Sequence, residues 1–209
     1  LTRGYSFVII YSYKNIRRTM ITLQQIKEFD SQQDGKAGSW VKQHAPNYYS
    51  LDAKNKGKYG EKFFNSYYEN SQGVEIVWND NNDDHDFVVN GLKIELKFSF
   101  ASWKNGAAHY DKFTFNHIAK HKNWDYLVLI GINPPQSIAY LRKGHEYTET
   151  VRAYAISKQD FLENYDYNIE NNLLSVQQGG KASGNDDHMV TDYQKILNWR
   201  GIKPLNEVI

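Results

Sequence analysis

The stretch Asp86-Phe87-Val88-Val89-Asn90-Gly91-Leu92-Lys93-Ile94-Glu95-Leu96-Lys97-Phe98 decides how the chain is read. Asn-Gly between alternating apolar residues is the strongest short-range signal for a β-hairpin with a two-residue turn. Taking Asn90-Gly91 as that turn pairs Val89 with Leu92, Val88 with Lys93, Phe87 with Ile94 and Asp86 with Glu95. Side chains alternate between the two faces of a strand. One face therefore carries Phe87, Val89, Leu92, Ile94, Leu96 and Phe98 and must meet the core. The other carries Asp86, Glu95 and Lys97, with Val88 and Lys93 nearer the turn. Two carboxylates directly opposite one another destabilise a sheet by up to about 1 kcal/mol. A divalent cation reverses that repulsion, and carboxylates with water are what Mg²⁺ prefers. Lys97, two residues past Glu95 on the same face, is placed to orient a water or offset developing charge.

Outward from the hairpin, residues 21–30 read as a helix and 31–57 as a polar, lysine-bearing loop region. A second helix is expected at 58–69, where Tyr59, Phe63 and Tyr67 recur at four-residue steps. Val74–Trp78 reads as a strand and 79–84 as an Asn/Asp-rich loop. Residues 113–122 read as a helix, and Tyr126–Ile132 as a buried central strand. Ser137–Leu141 and Arg152–Ile156 are further strand candidates, followed by helices at 158–165 and 190–199. The core order is helix, three strands, helix, strand. The first Met is Met20, so residues 1–19 are expected to be upstream read-through or a disordered arm, with 20–209 forming a single domain.

The 209 residues include no Cys. This excludes a disulfide scaffold, a Cys-based zinc site, an iron–sulfur cluster and a thiol nucleophile, and fits an intracellular setting. No apolar run approaches the length of a membrane-spanning helix. The net charge is only +1, but it is unevenly placed. Residues 33–62 hold six lysines against three acids, and 87–124 hold six lysines against two, while Asp80, Asp83, Asp84 and Asp86 stand unopposed between them. On charge counts alone this is an ordinary surface mosaic; the alternative reading of an acidic spot flanked by basic stretches is a cation site beside a polyanion track.

Asp86, an eight-residue gap, then Glu95-Leu96-Lys97, set between the expected helix and the apolar strand, resembles the PD-(D/E)xK nuclease superfamily, the fold of type II restriction endonucleases. The resemblance covers about residues 57–142 and extends to Phe98-Ser99 and to Asp125–Ile130. It departs at His85, where the namesake proline would stand. It implies an α/β fold with a restriction-endonuclease-like core, a mixed central sheet flanked by helices. It also implies Mg²⁺ held by Asp86, Glu95 and the backbone carbonyl of Leu96, with Lys97 positioning the attacking water. Members often carry a helper acid on the first core helix, here Glu61. The implied protein is a cytoplasmic, homodimeric type II restriction endonuclease cutting a short site in double-stranded DNA. Other nucleases of this fold (junction resolvase, repair nickase, transposon end-cleaving subunit) and an inactive DNA-binding module are the alternatives.

Several residues outside the hairpin are expected to meet DNA. Lys120 and Lys122 would touch phosphates, Asn116 would sit at the start of the helix behind the site, and Gln177, Gln178 and Lys181 lie in a polar, glycine-rich loop. His117 and His121, four apart on the expected helix, would face DNA or solvent. A zincin helix needs Glu immediately after the first His, and Ile118 occupies that position. Asp186-Asp187-His188 reads as a solvated turn, with metal binding as the alternative.

Overall fold

A computed structural model of the chain describes residues 21–31, 48, 51–80, 84–104, 107–133, 150–177 and 187–209. The Asn90-Gly91 turn forms as expected. Both residues have positive φ (49° and 82°), which matches the right-handed twist of a tight hairpin. It joins β2 (Phe87–Val89) to β3 (Leu92–Phe100), and the observed register pairs Phe87 with Ile94, Val88 with Lys93 and Val89 with Leu92. The strand before them, β1 (Ile76–Trp78), lies antiparallel on β2.

The apolar run forms β7 (Tyr126–Ile132), which pairs parallel with β3 over its whole length. Beyond it lie β8 (Val151–Ser157) and β11 (Lys203–Pro204), both antiparallel to their neighbours. The result is a mixed six-stranded sheet in the order β1-β2-β3-β7-β8-β11. One face is covered by α1 (Leu23–Ser31) and α2 (Ala53–Glu69). There Tyr59, Phe63 and Phe64 pack on Ile94, Leu96, Val128 and Ile130. Helix α2 begins five residues earlier than its apolar stripe suggests, because Asp52 caps it by accepting from the Asn55 N–H at 2.8 Å. Gly60 lets the helix lie directly on β3: a Cβ at this position would stand 2.3 Å from Phe98 Cβ.

The opposite face, around Leu127, Leu129 and Ile156, is covered by a second, three-stranded sheet. Its strands are β6 (Phe115–Ala119), β10 (Asp187–Val190) and β9 (Ser175–Val176), in the order β6-β10-β9. The short helices α3 (Lys158–Glu163) and α5 (Tyr193–Leu197) pack beside it, and α4 (Tyr165–Glu170) follows α3. A two-stranded ribbon, β4 (Trp103–Lys104) with β5 (Ala107–Ala108), precedes β6. The protein is therefore a mixed α/β fold in which helices flank a mixed sheet.

Two expectations fail. Residues 113–122 are not a helix. They form β6 and a turn through Lys120–Lys122. The misleading pattern has a local cause: the β6–β10 register runs from Ile118 opposite His188 to Phe115 opposite Val190, so β6 carries an extra residue. That bulge spaces Phe115, Ile118 and Ala119 at i, i+3 and i+4, which imitates a helix face. Nor are Asp187 and His188 a solvated turn. They are buried in β10, between β6 and β9. The strand expected at Ser137–Leu141, the arm at 1–19, Gln178 and Lys181 lie outside the described residues.

Candidate active site

The hairpin brings Asp86, Glu95 and Lys97 together. Parallel pairing sets Glu95 beside Leu127 and Lys97 beside Leu129, so both project from the face covered by the second sheet. Glu95 is 1% exposed. Its Oε1 accepts from Lys97 Nζ at 2.6 Å and from Lys122 Nζ at 3.4 Å, while its Oε2 is buried with no hydrogen-bond partner. A buried carboxylate with one bare oxygen is costly unless a positive group completes it.

Asp86 reaches across from the start of β2. Its backbone N–H donates to the Ile94 carbonyl at 2.9 Å, and its Oδ2 accepts from the Leu96 N–H at 2.7 Å. Leu96 thus anchors one acid through its backbone while its side chain is buried in the core. Burial, and then the charge of Glu95, push the Asp86 carboxyl up to about 7. Lys97 and the Leu96 N–H pull against that shift, and Glu61 adds a smaller push. At neutral pH the fold thus resists charging both acids together, and a cation bridging them would relieve that resistance.

Glu61 is carried by α2. Its Oε2 accepts from Trp78 Nε1 at 3.1 Å and from Lys58 Nζ at 3.0 Å. Lys58 also bonds Asp80, so one ammonium ties the helix acid to the acidic loop. The close approach allowed by Gly60 brings Glu61 within electrostatic reach of Asp86.

Of the residues expected to meet DNA, Lys122 stands in the site itself, against Glu95, and its backbone carbonyl accepts from the Lys158 ammonium. Lys120 lies over the Tyr165 ring, 4.1 Å from its centre. Asn116 is exposed, but on β6 rather than on a helix. Gln177 follows β9 and accepts from the His117 N–H, and His121 is exposed in the turn after β6. Sequence reasoning missed Lys58, Trp78 and Lys158 as partners of the site. Lys58 stands one helical turn before Glu61 and was legible from that spacing, whereas Trp78 and Lys158 arrive through tertiary packing and nothing local marks them.

Among the described residues no group of three or more His, Asp or Glu side chains forms a metal cage. Mg²⁺ usually keeps several waters and takes only one or two carboxylates, so Asp86 and the bare Oε2 of Glu95 suit it. No protein-family profile and no curated protein matches the chain. Among the described residues no helix is long and apolar enough to cross a membrane.

Proposed function

We propose that this protein is a Mg²⁺-dependent endonuclease hydrolysing DNA phosphodiester bonds, with a restriction-endonuclease-like core and, most specifically, the activity of a type II restriction endonuclease. The observation that carries the reading is the pairing of two mutually repelling acids, one with a bare buried oxygen, beside an ammonium on the same sheet face. The helix on one face, the hairpin and the parallel β3–β7 pair support the core assignment. The strand β6 is its departure, since the family's core has a helix there.

In this reading Asp86 and Glu95 hold the metal, aided by the Leu96 carbonyl, and Glu61 assists from α2. A bound Mg²⁺ would polarise the scissile phosphate and lower the pKa of its own water. Lys97, whose ammonium stands against Glu95, would orient the attacking water. Lys122, on the same Glu95 oxygen, would offset the charge of the phosphate. Short palindromic sites are read by two-fold proteins, so the active form is a homodimer on double-stranded DNA.

The test is incubation with plasmid and linear phage DNA in Mg²⁺. Discrete fragments, lost in Glu95→Ala and Lys97→Ala, support the proposal. Preferential cutting of branched or nicked duplexes would reassign the substrate to that of a resolvase or nickase. Tight duplex binding with no cleavage under varied metals and temperatures would make the chain a binding module instead.

A further inference from the structure

Beside Asp86 the protein holds a cation of its own. Lys58 stands one helical turn before Glu61 on α2, and its Nζ donates to Glu61 Oε2 at 3.0 Å. The same ammonium bonds Asp80, just after β1, and lies 4.8 Å from the centre of the Trp78 ring. Two carboxylates and an aromatic face all attract a cation, and here Lys58 supplies it. Trp78 is fixed independently of Lys58. Its ring stacks on Phe87 at 19° with centroids 6.3 Å apart, and its Nε1 donates to Glu61 Oε2 at 3.1 Å. The backbone ties this cluster to the hairpin acid. Asn79, between Trp78 and Asp80, donates its N–H to the Asp86 carbonyl at 2.9 Å, and Trp78 pairs with Phe87, the residue after Asp86. Both donors to Glu61 reach Oε2, so among the described residues Oε1 is left for another ligand.

We propose that Lys58 is a positioning residue that competes with Mg²⁺ for Glu61, so that this one ammonium sets how tightly the site holds its ion. The role rests on the nuclease reading, in which Glu61 assists Asp86 and Glu95 with the metal. Charge gives the effect its direction. A divalent ion drawn to Glu61 meets an ammonium already hydrogen-bonded to that carboxylate, and like charges so close repel. Aiming the carboxylate does not require Lys58, because the Trp78 indole grips the same oxygen. Loss of the ammonium therefore frees negative charge for the metal and leaves Glu61 oriented. The exchange needs no unfolding. The Lys58 side chain is 34% exposed and keeps Asp80 as a partner when it yields Glu61.

The experiment is titration calorimetry with MgCl₂ on the full chain, without DNA, at neutral pH, alongside melting temperatures in chelator. Lys58→Met removes the charge and keeps an unbranched stem beside the Trp78 ring. It should bind Mg²⁺ roughly threefold to tenfold more tightly than the wild type, the modest size reflecting solvent screening around a partly exposed pair. Lys58→Arg keeps the charge and should bind as the wild type does. Glu61→Gln should bind more weakly, and adding Lys58→Met to it should recover little, since the effect passes through Glu61. A merely structural tie between α2 and Asp80 would lower the melting temperature of Lys58→Met and leave its Mg²⁺ affinity unmoved. Unchanged or weaker binding by folded Lys58→Met, or a gain that survives in full beside Glu61→Gln, overturns the proposal and leaves the metal site standing. If Lys58→Met does not fold, Lys58→Gln is judged by the same outcomes. A wild type and variants that all take up no Mg²⁺ overturn the nuclease reading as well.

Discussion

Replacing Asp86 with Asn probes the electrostatics on which the site depends. The carboxyl is raised from 3.8 to about 7, chiefly by burial and by Glu95. The fold therefore favours the protonated acid. The stability this contributes is fully present below 3.8 and is lost as pH rises toward and through about 7, so above neutrality the metal-free protein carries the whole penalty. Three pH units correspond to about 4 kcal/mol, and solvent relaxation around a half-buried group reduces this to about 2 kcal/mol. Asn cannot ionise, and its carbonyl oxygen still accepts from the Leu96 N–H. In chelator at pH 8, D86N should melt about 4–8 °C above the wild type, at 2–4 °C per kcal/mol for a chain of this size. The gap should close between pH 7 and pH 4. Mg²⁺ should raise the wild-type melting temperature by mass action and leave D86N almost unmoved. Calorimetry over this pH range, with and without metal, measures all three. A D86N protein less stable than the wild type at pH 8, or a gap that ignores pH, would refute the reasoning.

Lys97→Met should lower cleavage by at least about a hundredfold while duplex affinity measured in chelator holds, because the proposed role of the ammonium is to act on the attacking water. Lys122→Met should reduce cleavage about tenfold and tighten Mg²⁺ binding, measured by titration calorimetry, since one of the two ammoniums competing for Glu95 is gone. Gly60→Ala forces a Cβ against Phe98 and should cost about 1–3 kcal/mol, read as a lower denaturant midpoint. Because it pushes Glu61 away from Asp86, the same variant should also weaken Mg²⁺ binding.

The site shows where fold stability and chemistry part. Glu95 with a bare buried oxygen and Asp86, whose carboxyl burial and Glu95 push up to about 7, are both unfavourable as charged groups. Rigid neighbours enforce them: the Leu96 N–H on Asp86, the Trp78 indole on Glu61 and the full-length β3–β7 pairing beneath Glu95. Such strain persists at functional sites because the surrounding structure over-determines it.

What the amino-acid order determined by itself is the local geometry. Asn90-Gly91 permits the positive φ values of a tight turn, strict alternation assigns Phe87–Phe98 to two faces, and unbroken apolarity makes Tyr126–Ile132 central. These follow from neighbouring residues alone, so turn, register and the trio of Asp86, Glu95 and Lys97 were all legible. Tertiary structure decided the rest. Whether Phe115–Ala119 coils or extends depends on β10, about seventy residues away, and the bulge that accommodates His117 gives the segment the spacing of a helix. The burial of Asp187 and His188, the arrival of Lys122 on Glu95 and the grip of Trp78 on Glu61 likewise depend on partners remote in the chain. Local periodicity reports which face a residue turns inward; only packing reports what meets it there.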